Sequence, residues 1–215
     1  MRAIIFANGV TSPPPTFQPD DLIIAADGGA RHCLALGLTP HLVVGDFDSL
    51  DDDRLKLLRE LGVELVQYPI RKDYTDLELA LQQACQRGAT EILVLAALGG
   101  RWDQTLANVL LLANQKFATL EICLIDGAQE IRLVHAGQHL EIHGNPGDTV
   151  SLIPLNGDAQ GITTEDLEYP LHSETLRFGG TRGISNMMIA PSAAVFLRHG
   201  TLLCVVIHQQ ELIEE

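Results

Sequence analysis

Leu42-Val43-Val44-Gly45-Asp46-Phe47-Asp48-Ser49 sets a D-x-D pair directly after a short apolar run, and the same design recurs along the chain. Ile23-Ile24-Ala25-Ala26 runs into Asp27-Gly28-Gly29, and Leu65-Val66 leads through Tyr68-Pro69 to Lys72-Asp73-Tyr74-Thr75-Asp76. Ile92 to Leu98 ends at Gly99-Gly100-Arg101-Trp102-Asp103. Short apolar runs separated by helical patterns read as parallel strands, whose carboxyl ends share one rim of the sheet. Acids gathered on one rim repel each other unless a hard cation sits among them, and Mg²⁺ is the usual one. The pattern points to a metal-assisted site acting on an anionic substrate.

Working outward, residues 1 to 125 alternate strand and helix signals, a doubly wound α/β pattern. Met1 to Ala7 reads as the first strand and Leu120 to Ile125 as the last. Ser49 is expected to cap a helix carrying Leu55, Leu58 and Leu61, with Asp51 and Asp52 in its first turn. Thr75-x-x-Glu78 reads as a capping box for a helix that ends at Gly88. From Asp126 to Glu215 the character changes to short alternating segments between turn signals such as Asn145-Pro146-Gly147-Asp148 and Asn156-Gly157. That half is expected to be a smaller antiparallel β-domain, with Val195 to Leu197 and Leu202 to Ile207 forming a hairpin about His199-Gly200.

The hydrophobic fraction of 46% and charged fraction of 20% fit an ordinary globular protein. A net charge of −14 argues against nucleic-acid and acidic-membrane partners, which call for a basic patch. Cys33, Cys85, Cys123 and Cys204 are widely spaced in apolar surroundings, as in reduced core cysteines, and no signal-peptide pattern or long apolar span is present. The expected compartment is the cytoplasm.

Phosphate handling must be unusual. The sequence holds neither G-x-x-x-x-G-K-[ST] nor G-x-G-x-x-G, and its three lysines (Lys56, Lys72, Lys116) never follow a glycine. A nucleotide would be held by Mg²⁺ on the acids, by Gly-rich backbone N–H groups at helix starts, and by Lys72 or Arg101. Asp46 and Asp48 face one ion if their segment is extended. Asp76 reads equally as a first-turn acid, Asp73 as a loop residue and Asp103 as a helix cap. The histidines form no zinc motif, and no G-x-S-x-G elbow occurs.

In order and spacing these segments resemble the thiamine pyrophosphokinase family. The resemblance rests on A-D-G-G-A (Ala26 to Ala30), G-D-F-D-S (Gly45 to Ser49), K-D-x-T-D (Lys72 to Asp76), G-G-R-x-D (Gly99 to Asp103) and a late G-x-S-N element ending at Ser185-Asn186. It implies an α/β nucleotide-binding catalytic domain over residues 1–125 and a β-sandwich over 126–215 that binds thiamine and dimerises. It further implies a homodimer that transfers pyrophosphate from ATP to the thiamine hydroxyl. By position, Asp46, Asp48 and Asp76 would bind Mg²⁺ and do the catalytic work with Asp27. Gly28, Gly29, Lys72, Asp73, Thr75, Gly99, Gly100 and Arg101 would hold ATP, and Trp102, Asp103, Ser185 and Asn186 would line the thiamine site. Gln104 stands where many members carry His, and Met187-Met188 where a polar residue is frequent. Two rival readings are a haloacid-dehalogenase-type phosphatase using Asp46, Thr75, Lys116 and Asp126, and a non-catalytic ATP or thiamine sensor.

Overall fold

The computed structural model describes residues 1–209 and divides into two compact units, Met1–Gly127 and the chain from Ala128 onward. In the first, strands β1 (Arg2–Phe6), β2 (Leu22–Ala26), β3 (Leu42–Gly45), β4 (Glu64–Gln67), β5 (Glu91–Leu95) and β6 (Glu121–Asp126) pair in parallel in the order β6-β5-β1-β2-β3-β4. Strand β6 ends at Asp126, one residue past the boundary read from the sequence.

The connecting helices are α1 (Ala30–Ala35), α2 (Asp52–Glu60), α3 (Asp76–Gln86) and α4 (Trp102–Leu111). Ile4, Phe6, Ile23, Ala25, Val43, Leu93 and Leu95 share a core with Ala30 and Cys33 of α1 and Leu58 of α2. Residues of the opposite parity (Ala3, Ile5, Ile24, Val44, Ile92, Val94) are equally buried, and α3 packs on β1, β2 and β3. Strands buried on both faces must be apolar throughout, which explains why the sequence runs are continuous instead of alternating. Burial pushes the Cys33 thiol up to about 12, an inert core group, and Cys123 is buried too; Cys85 is exposed, against the expectation from its apolar neighbours.

Two helix starts form as local chemistry dictates, one with a different residue. Thr75 accepts from the Glu78 N–H at 3.2 Å and caps α3. The cap of α2 is Asp51, whose carboxylate accepts from the Arg54 N–H at 2.8 Å. Ser49 instead donates to Asp48 at 3.2 Å, standing two residues before the cap position and so too early to reach the free N–H groups.

The second unit is a sandwich of two antiparallel sheets. Strands β7 (Gln129–His135), β9 (Thr149–Pro154), β12 (Asn186–Met187) and β14 (Thr201–Ile207) pair in the order β12-β9-β14-β7. Strands β8 (His139–His143), β10 (Ala159–Glu165), β11 (His172–Leu176) and β13 (Ser192–Phe196) pair in the order β11-β10-β13-β8. Val150, Leu152, Leu202 and Val206 of one sheet meet Ile142, Ile162, Leu176 and Val195 of the other in one core.

The expected hairpin is therefore absent: β13 and β14 belong to different sheets. His199 and Gln160 exchange backbone hydrogen bonds of 2.9 and 3.0 Å, tying the turn to β10 while the chain crosses over. Alternation of apolar residues is the same for strands that pair and for strands that face each other across a core, so the pattern could not separate the two. Among the described residues no helix is long and apolar enough to cross a membrane.

Candidate active site

Strand β1 lies between β2 and β5, and the chain winds from it to β4 on one side before crossing to β5 and β6 on the other. Crevices at the carboxyl ends of such strands are where doubly wound sheets take ligands. A cavity of about 680 Å³ lies there, lined by Asn8 and Gly9 after β1, Asp27 after β2, Asp46 and Asp48 after β3, and Ala96, Ala97, Gly99 and Gly100 after β5.

Backbone strain places the acids. Asp27 follows β2 at φ 45° and turns straight into Gly28-Gly29. A Cβ on Gly28 would sit 2.4 Å from Asn8 Oδ1, and one on Gly29 would sit 2.0 Å from the Phe6 carbonyl. Only glycine lets this turn lie so close to β1. Phe47 adopts φ 66° with its ring buried in the first-unit core. The D-x-D segment is thus not extended, and strand alternation does not describe it. Asp46 gathers with Asp27 and Asp76, one carboxylate oxygen of each lying within 4.8 Å of the others. Asp48 lines the same cavity outside this trio, its N–H donating to Asp46 at 3.3 Å.

Lys72 is the trio's counter-charge. Its Nζ lies 2.6 Å from Asp46 Oδ2 and 3.1 Å from Asp76 Oδ1. Burial alone would raise the Asp46 carboxyl, but the hydrogen bonds from Lys72 and the Asp48 N–H outweigh it and hold it below the usual range. Asp76 goes the other way: burial first, then the neighbouring Asp46 and Asp27 charges, raise it despite Lys72. Burial opposes the Lys72 charge, yet its two carboxylate partners raise it on balance. Asp27 is 4% exposed, and its Oδ1 has no hydrogen-bond partner. A buried carboxylate oxygen with no donor is costly and calls for a ligand.

The sequence matches two family descriptions in succession: "Thiamin pyrophosphokinase, catalytic domain" over residues 15–124, and "Thiamin pyrophosphokinase, vitamin B1 binding domain" over residues 138–202. The chain belongs to the thiamine pyrophosphokinase family. A thiamine pyrophosphokinase of Bacillus subtilis is 29% identical over 184 residues, 86% of this chain and 86% of that one. The crystal structure of a Bacillus subtilis thiamine pyrophosphokinase superposes with a TM-score of 0.88 at 27% identity, covering 98% of this chain and 100% of that one. A thiamin pyrophosphokinase family protein from Enterococcus faecalis gives 0.86 at 30% identity, covering 98% and 100%.

Among thiamine pyrophosphokinase motif residues, Thr75 lines the cavity and caps α3, whereas Gly28 and Gly29, next in sequence to Asp27, and Asp73, three residues before Asp76, are not among the lining residues. Gly99, Gly100 and Arg101 line the cavity, with Arg101 ion-paired to Asp103 at the exposed start of α4. Trp102 is 78% exposed on that helix. Ser185 and Asn186 lie in the second unit. The Asn186 amide accepts from the Tyr169 N–H at 3.0 Å and donates to the Tyr169 carbonyl at 2.8 Å. These two bonds tie the side chain to the Tyr169-Pro170 segment.

Sequence reasoning missed Asn8, Asn108 and the lining role of Ser49. Asn8 accepts from Arg31 at 2.6 Å and reaches Ser49 Oγ at 3.5 Å, bridging the ends of β1 and β3. Asn108 is buried and donates to the Ala97 carbonyl at 2.7 Å, fixing the loop after β5. The available signal was position: Asn8 is the second residue past a strand end on the ligand rim.

Proposed function

We propose that this chain transfers the pyrophosphoryl group of ATP to the hydroxyl of thiamine, yielding thiamine diphosphate and AMP. The observation that carries the reading is the Asp27-Asp46-Asp76 trio with Lys72, set at the carboxyl rim of a sheet whose sequence belongs to this family. The trio fits Mg²⁺: its donors are hard oxygens, and the buried Asp27 Oδ1 lacks any other partner. Asp27, Asp46 and Asp76 would hold the ion, with Asp48 at the cavity wall. When bound, Mg²⁺ would neutralise phosphate charge as the transfer proceeds.

The chain's own groups supply the rest. Backbone N–H groups of the Gly28-Gly29 turn and the loop at Gly99-Gly100, with Lys72 and Arg101, are the candidates for cradling ATP. The thiamine hydroxyl attacks the β-phosphorus, the bond to the α-phosphate oxygen breaks, AMP leaves, and the hydroxyl proton passes to a carboxylate of the rim. Trp102, Asp103, Ser185 and Asn186 are assigned to thiamine, the active unit to a homodimer and the compartment to the cytoplasm. These assignments rest on motif position. A haloacid-dehalogenase phosphatase carries its D-x-D after the first strand, whereas here it follows β3.

The test is product analysis with ATP, thiamine and Mg²⁺. Thiamine diphosphate and AMP in equal amounts are expected. Released inorganic phosphate would favour a phosphatase, and binding without turnover a sensor.

A further inference from the structure

We propose that Lys72 couples cation binding to nucleotide binding by exchanging partners: it rests on the acids, and a divalent ion displaces it onto the phosphates. The inference rests on the reading that this site takes Mg²⁺ and ATP. Lys72 is the sole lysine lining the cavity, and its side chain is 12% exposed. Its Nζ touches Asp46 and Asp76, two of the three residues in the trio. A divalent ion held by these carboxylates at about 2.1 Å would lie within a few ångströms of the ammonium, whichever oxygens it used. Two cations that close in a half-buried site repel strongly. The trio carries three carboxylates against one ammonium, so it tolerates the lysine alone but gains more from a divalent ion.

The displaced ammonium stays at the cavity. Lys72 follows β4 in the loop before the α3 cap, and its flexible stem carries a point charge with three rotatable donors. Turned from the acids, it remains in the cavity, where the sequence provides no P-loop lysine. The same charge therefore closes the acid trio and opens a phosphate site, and the ion determines which. A permanent strut would serve one purpose only. Its removal would let the carboxylates spread and would weaken the ion.

The experiment is calorimetry on the full chain, wild type beside Lys72→Met, with Mn²⁺ alone and then with ATP at saturating Mg²⁺. The expected result is opposite signs. Lys72→Met binds Mn²⁺ more tightly, on the order of 5–100-fold, and binds ATP more weakly by a similar factor, the usual span of coupling between sites. Unchanged or weaker Mn²⁺ binding in Lys72→Met overturns the exchange, as does unchanged ATP binding. Lys72→Gln, which keeps an N–H donor toward Asp46, gives the same comparison should the methionine variant not fold. Wild type that binds neither Mn²⁺ nor ATP sinks the functional reading itself. Wild type that binds both, with like-signed effects in the variant, sinks the exchange alone.

Discussion

Asp27 is held at φ 45° with a buried, unpartnered oxygen and two further acids nearby. Such a residue costs stability and is retained for what it binds. Asp27→Asn removes one of three repelling charges. In EDTA, thermal unfolding of the variant is expected to show a gain of about 0.5–2 kcal/mol. Turnover should fall by roughly 10²–10⁴, since a ligand to the transferring group's cation is lost. A variant that is both less stable in EDTA and fully active contradicts this account. Asp46→Asn should lose activity to a similar degree without the stability gain, because it also strips Lys72 of its 2.6 Å partner. At this scale the sequence disclosed which acids follow strand ends but not how they group. The grouping depends on the left-handed Phe47 backbone, which exists because its ring is buried in a core assembled from distant strands. No local spacing rule contains that information.

Caps and turns were legible where a side chain reaches its own helix, as Thr75 does for α3. The cap of α2 differed by two residues because Ser49 and Asp51 are both competent, and the helix start decides between them. Thr75→Ala should destabilise by about 1 kcal/mol. Thr75 also lines the cavity one residue before Asp76, so the same change should reduce turnover beyond what partial unfolding explains. Urea titration beside activity at saturating substrate checks this; a stability loss with intact turnover would leave Thr75 as a cap only. Strand runs of the first unit were readable because burial on both faces makes them continuously apolar. The separation of β13 and β14 into different sheets was not, because sheet membership is set by long-range partners: β13 to β8 and β10, β14 to β7 and β9.

Across the whole molecule the net charge of −14 means that acid relieves self-repulsion. Against this stand a few carboxylates that the folded chain needs ionised. In the first unit Asp21 accepts two hydrogen bonds from Arg2, each 2.7 Å, and its pKa is lowered chiefly by that contact. In the second unit Asp148 is 0% exposed. It accepts from the Asn145 N–H at 2.9 Å and the Gln209 N–H at 2.8 Å, and contacts His208 Nδ1 at 2.9 Å. Burial works against the Asp148 charge, but these partners prevail and hold its pKa below the ordinary 3.8. A carboxyl depressed on folding contributes stability that is fully present above its unfolded value and is lost as the pH falls through the folded one. Stability should therefore hold down to about pH 4 and then decline toward pH 2. Asp148→Asn presents an amide N–H₂ to backbone donors, and should cost about 1–3 kcal/mol at pH 7. Because the titrating group is gone, this variant should also lose less stability on acidification than wild type. Urea midpoints from pH 7 to pH 2 decide the matter: parallel pH profiles for the two proteins would mean that the Asp148 charge contributes nothing to the acid limb.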